Sequence, residues 1–129
     1  MNESSEKARL QQHVTQLGDK FLRRTQADTE MLCELIERVH QGDLTVLIQM
    51  QRMAHKIHGS GALFGFPAVS EAGRETEHLI DDLISRSTGA GGAMDAHLLR
   101  LVSESGARLA REVAAAAARA GLQPTPNPP

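Results

Sequence analysis

A chain of 129 residues is one domain by length and can bury a modest core without disulfide or metal staples. Aromatic residues make up only 2% of it, so Leu, Ile, Val, Met and Ala must build that core, which suits helix packing and leaves no platform for stacking nucleic-acid bases. The formal charge of −2 gives no basic footprint for nucleic acid either.

The N-terminal MNESSEKARLQQ lacks the apolar core of a signal peptide, and no run approaches the ~20 apolar residues of a membrane span. The lone Cys33 excludes an intrachain disulfide and fits a reducing compartment. A cytoplasmic monomer with no membrane partner is therefore expected.

Taken in order, the apolar positions predict helices throughout. Leu10, Val14 and Leu17, spaced by four and three in a polar stretch, predict a short helix that packs on its neighbour. Gly18-Asp19 would break it, although the pattern can run on through Phe21 and Leu22. Leu32, Leu35, Ile36 and Val39 predict a stronger helix from Asp28 to His40. Gly42 stops that helix and Asp43 caps the next.

Leu47, Met50, Ala54, Ile57, Gly61 and Phe64 form the inward stripe of a third helix. Pro67 suits the first turn of a fourth, with Val69, Ala72, Thr76, Leu79, Ile80 and Leu83 inward. SRSTGAGGA, residues 85–93, reads as a flexible linker. A fifth helix from about Met94 carries Leu98, Leu101, Val102, Leu109 and Val113 and dissolves into Ala114 to Ala118. The closing QPTPNPP cannot be helical and reads as disordered or extended.

No strand alternation and no internal repeat is visible. The fold class is all-α: an antiparallel, up-down four-helix bundle over residues 17–119. An additional short N-terminal helix occupies residues 1–16, and a disordered Pro-rich tail residues 120–129.

The third helix carries the chemistry, in Met50–Gly65, MQRMAHKIHGSGALFG. At 100° per residue His55 falls about 130° from the apolar direction, on the solvent side, and His58 about 70° away, on the flank. The exposed patch is then Ile48, Gln51, Arg52, His55, Gly59 and Ala62. Glycine costs a helix about 1 kcal/mol relative to alanine, so Gly59 and Gly61 beside a histidine suggest that something bulky comes close. Beside an accessible imidazole, an outward Ile48 reads as part of a docking surface.

Rival sites are weaker. Glu37…His40 and Glu75…His78 both have the Glu-x-x-His spacing of di-iron bundles, but their carboxylates fall roughly 90–140° from the apolar direction. His55 and His58 as a metal pair lack a nearby carboxylate in sequence, so no metal site is assigned. Cys33 reads as a small core residue, and His13, His97, Arg74, Arg86, Arg100, Arg108 and Arg111 as solvated surface. Neither G-x-x-x-x-G-K-[ST] nor a kinase signature is present, so nothing suggests that the chain uses ATP itself.

HKIHGSGALFG resembles the signature of histidine-containing phosphotransfer (HPt) domains, H-x-L-K-G-S-[SA]-x-x-x-G. His55 matches the phosphorylated histidine, Ile57 the apolar position, Gly59-Ser60 the Gly-Ser pair and Gly65 the later glycine. Gly42-Asp43 resembles the family's helix break, and Val69, Gly73 and Glu77 its L-x-x-x-C-x-x-L-E pattern. The resemblance covers residues 17–113.

Two positions depart from it. His58 stands where the family has lysine, and Gly61 replaces the second small polar residue. Lysine would hold a permanent charge one turn from the phosphoryl group, whereas histidine as a residue type gains and loses its charge around neutrality. Arg52, three residues before His55, is the substitute.

The resemblance implies a phosphorelay intermediate, in which His55 accepts a phosphoryl group from one receiver-domain aspartate and donates it to another. The implied partners are response-regulator receiver domains or a hybrid sensor histidine kinase. The receiver would bring the acidic pocket and Mg²⁺, and this chain no cofactor. The alternative is a non-phosphorylated helical adaptor that binds a receiver domain or kinase.

Overall fold

The computed structural model describes residues 3–87 and 94–123. Among these residues there are four α-helices and no strand: α1 (Glu3–His40), α2 (Leu47–Leu63), α3 (Pro67–Ser87) and α4 (Ala96–Arg119). A 3₁₀ turn, Leu44–Val46, leads into α2. The helices close a ring in which α2 packs on α3, α3 on α4, α4 on α1, and α1 more loosely on α2. Leu22 and Leu32 of α1, Met50 and Ile57 of α2, Ile80 and Leu83 of α3, and Val102, Leu109 and Val113 of α4 fill its axis, all fully buried. This is the all-helical bundle that the apolar spacing predicts.

The first helix differs from expectation. The expected short N-terminal helix and the helix from Asp28 are one element, 38 residues long, that runs unbroken through Gly18-Asp19. A single glycine costs about 1 kcal/mol in a helix, which Phe21 and Leu22, buried one turn later, outweigh. Gly18 is itself buried, and the Phe66 ring lies 3.5 Å from where a Cβ would stand. Upstream of Gly18 every described residue is exposed, including Leu10 at 65% and Val14 at 56%. Residues 3–17 therefore project as a helical arm roughly 22 Å long and do not pack on a neighbour.

The chain reverses where its residue types allow. Gly42 (φ +99°) follows α1 and Gly65 (φ +84°) follows α2, both in the left-handed region that glycine enters without strain. The second turn brings Phe64 and Phe66 onto Phe21, with ring centroids 5.4 and 5.6 Å away. Asp43 accepts from Thr45 and from Arg38, and these bonds, that from Thr45 foremost, hold its carboxyl below the ordinary range.

The helix α3 runs further than predicted, since Ser85, Arg86 and Ser87 belong to it. Residues 88–93 of the expected linker lie outside the described residues, as do residues 124–129 of the expected Pro-rich tail. Asp95 caps α4, accepting from the Leu98 N–H at 2.9 Å and pairing with Arg86 at 3.0 Å. The Leu98 N–H, then the Arg86 charge, holds the Asp95 carboxyl below its usual range. A carboxyl depressed in the folded state contributes stability above its unfolded pKa of ~3.9 and loses it as pH falls through the folded value. Asp95→Ala should therefore lower the thermal midpoint at neutral pH, by a margin that closes below about pH 4. Thermal melts of both proteins across that range check it.

Ala114 to Ala118 do not dissolve the last helix. They continue it to Arg119, because alanine is the best helix former, and Ala116 and Ala117 are small enough to pack in the core. Cys33, expected in the core, is an exposed residue whose thiol is still covered enough to raise its pKa.

Candidate functional site

In α2 the buried residues are Leu47, Met50, Ala54, Ile57 and Gly61. That stripe turns Ile48, Arg52, His55, Gly59 and Ala62 outward on one face, all exposed, with Gln51 and His58 half-buried on its flank. The side chain of His55 is 71% exposed and that of His58 36%. Arg52 has no ion-pair partner among the described residues. Leu63, at 79% exposure, extends the face beyond Ala62 and is not among the residues expected there from the sequence.

Beneath this face lies an acid. Glu77 of α3 has a side chain only 10% exposed, and its Oε2 accepts from His55 Nδ1 at 2.5 Å. The same oxygen lies 3.5 Å from Gln51 Nε2, and Oε1 lies 3.5 Å from His58 Nδ1. A buried carboxylate without partners is costly, and these three groups are its partners. A carboxylate can only accept, so Nδ1 of His55 carries a proton, and in the neutral ring that leaves the lone pair on Nε2. Bonds of this charge-assisted kind are short and about twice as strong as neutral ones.

Two glycines let α3 come close enough to place that acid. A Cβ on Gly73 would stand 3.0 Å from the backbone nitrogen of His58 and 3.3 Å from its Cα. A Cβ on Gly61 would stand 3.0 Å from the backbone nitrogen of Ser70. At the same crossing Ser70 Oγ donates to the His58 carbonyl at 2.7 Å. Ser70, Gly73 and Glu77, spaced by three and four, thus present one face of α3 to α2.

Gly59 differs from Gly61, since nothing lies within 4 Å of where its Cβ would be. Of the two glycines expected to give clearance to an approaching body, Gly59 faces open space and Gly61 serves helix packing. Gly73→Ala should lower unfolding free energy by about 1–2 kcal/mol, overpacking outweighing the propensity gained, as chemical denaturation would measure. An equally stable variant would show that the close approach at His58 is not limiting.

No carboxylate near the two histidines is evident along α2, because Glu77 stands 22 residues from His55 and reaches it from another helix. Two signals in the sequence mark it: its place between inward Thr76 and Ile80, and its spacing of four from Gly73. The Glu-x-x-His pairs lie elsewhere. Glu37, His40, Glu75 and His78 are all exposed, Glu75 pairs with Arg108 at 2.7 Å, and His40 Nε2 is hydrogen-bonded to Ser103 Oγ at 2.8 Å. Among the described residues no group of three or more His, Cys, Asp or Glu is placed to hold a metal ion.

The helical bundle thus presents an imidazole, held by a buried acid of the neighbouring helix, on an open face. A family model for the Hpt domain matches residues 8–119, and the chain belongs to that family. No curated protein and no solved structure matches it. Membership places the chain in phosphorelay signalling by histidine phosphotransfer, where Hpt domains act with receiver domains and kinases. No described helix is long and apolar enough to cross a membrane.

Proposed function

We propose that His55 is the phosphoryl carrier, taking the group from the aspartyl phosphate of one receiver domain and handing it to the aspartate of another. The observation that carries this reading is the pairing of an exposed imidazole with a buried acid, His55 Nδ1 on Glu77 Oε2. The lone pair of Nε2 attacks phosphorus, a P–N bond forms, and the P–O bond to aspartate breaks, its electrons leaving with the carboxylate. The Nδ1 proton stays on the ring, and the Glu77 charge balances the imidazolium character of the product. The return step reverses each change.

Arg52 and His58, one turn to either side of His55, supply positive charge and hydrogen bonding to the phosphoryl oxygens. Arg52 is the stronger candidate, because Glu77 already engages His58. Ile48, Gln51, Gly59 and Ala62 form the surface on which the receiver domain sits. The Mg²⁺ of this reaction belongs to that domain, together with its acidic pocket. The test is incubation with a phosphorylated receiver domain, and the expected result is an acid-labile, base-stable label on the peptide that contains His55. Binding of receiver domains with no label from any of them would overturn carriage and favour the adaptor reading.

A further inference from the structure

We propose that His58 makes phosphoryl retention depend on proton uptake, an inference that rests on His55 as the carrier. Protonated His58 draws the phosphoryl group onto this chain, and neutral His58 lets it pass to the receiver domain.

Four residues lie one helical turn from His55: Gln51, Arg52, His58 and Gly59. Glutamine and glycine carry no side-chain charge, and arginine keeps its charge at every physiological pH. His58 is therefore the one member of this set whose residue type changes charge between about pH 5 and 8. Its side chain is 36% exposed, enough to exchange a proton with solvent and to meet a group arriving on the open face.

Glu77 holds the two histidines to different degrees. His55 Nδ1 lies 2.5 Å from Oε2, a short hydrogen bond, whereas His58 Nδ1 lies 3.5 Å from Oε1, beyond the range of a good one. The acid thus fixes His55 and leaves His58 loosely attached.

Few charged groups face His58. From α3, Glu77 is its one ion-pair partner, while Arg74 and Glu71 beside the crossing pair with each other at 3.5 Å. On α2 its neighbours one turn away are Ala54, His55, Gly61 and Ala62, of which only His55 titrates. Among the described residues α1, the 3₁₀ turn and α4 give it no ion-pair partner.

A phosphoryl group on His55 brings about −1.5 to −2 charges beside this residue. The Nδ1 proton of His55 offsets part of that charge and is itself balanced by Glu77, so His58 meets a negative excess. Positive His58 and the phosphorylated state therefore favour each other. By linkage, a proton that His58 takes from solvent pulls the equilibrium towards phosphorylated His55. Lysine at this position would hold the group equally across neutral pH, whereas histidine makes the hold conditional.

The experiment is the equilibrium partition of the phosphoryl group between the full chain and one receiver domain, at about pH 6, 7 and 8. Wild type, His58→Gln and His58→Lys are compared with the same receiver. Dividing each value by that of His58→Gln at the same pH removes the pH dependence of the receiver and of His55 itself. For wild type this ratio should be near unity at the alkaline end and rise about two- to fivefold towards the acid end, the range of a partly exposed ion pair. His58→Lys should keep the raised value throughout. A wild-type ratio that stays flat, or that falls towards acid, overturns the proton link while label on His55 leaves the carrier reading standing. No label on the chain from any receiver domain overturns the carrier reading and the link together.

Discussion

His55→Gln should reduce phosphoryl uptake from an aspartyl-phosphate donor to background, while His58→Gln should still take up label. Glutamine has no imidazole nitrogen to attack phosphorus, yet its amide can donate to Glu77 in place of Nδ1–H, so the buried acid keeps a partner. His55 is largely exposed and outside the core, so the substitution should change stability by no more than about 0.5 kcal/mol. Loss of label with an unchanged thermal midpoint would therefore report chemistry and not folding. His58 is half-buried, engages the far oxygen of Glu77 at 3.5 Å and lies one turn away, a place suited to support and not to attack. Equal labelling of His55→Gln and wild type, or loss of label in His58→Gln alone, would move the phosphoryl group to another residue.

What is legible in the chain and what is not divide along physical lines. Inward spacing on α2 is local information, and helical geometry alone separates outward His55 from flanking His58. Helix continuity at Gly18 is open in sequence because the local penalty is small and its compensation is distant: Phe21 and Leu22 buried, Phe66 packed against the bare backbone. The alanine run of α4 resembles an ending only because it has no amphipathic pattern; burial of Ala116 and Ala117 depends on helices that sequence spacing does not place.

Glu77 is the sharpest case. A two-histidine pattern points along α2 and a Glu-x-x-His pattern points to Glu75, while the acid that touches His55 arrives from α3 through the Gly73–His58 crossing. Glycine positions carry that information, and of Gly59, Gly61 and Gly73 two are helix-to-helix contacts while one is open surface.

Glu77→Gln should slow phosphoryl transfer about 10- to 100-fold while leaving receiver affinity unchanged. Glutamine keeps the shape of the side chain and an oxygen that can accept from His55 Nδ1, so the loss reports the charge and the tautomer it selects, not the packing. A hydrogen bond to an ionised group contributes about 1.5–3 kcal/mol, and the fraction realised only as the ring gains positive character appears in the rate. Glu77 does not touch the phosphoryl group; it is a positioning residue that acts through the imidazole.

A second readout distinguishes that role from a merely structural one. In the wild type the acid selects Nδ1–H, whereas the glutamine amide can also donate, which admits the tautomer with the proton on Nε2 and the lone pair turned inward. Ring-nitrogen NMR of His55 should therefore show one dominant tautomer in the wild type and a mixture in Glu77→Gln, with the thermal transition of the bundle retained. An unchanged rate with an unchanged tautomer would remove Glu77 from the mechanism. A slower rate with an unchanged tautomer would place its whole effect in the charge beneath His55.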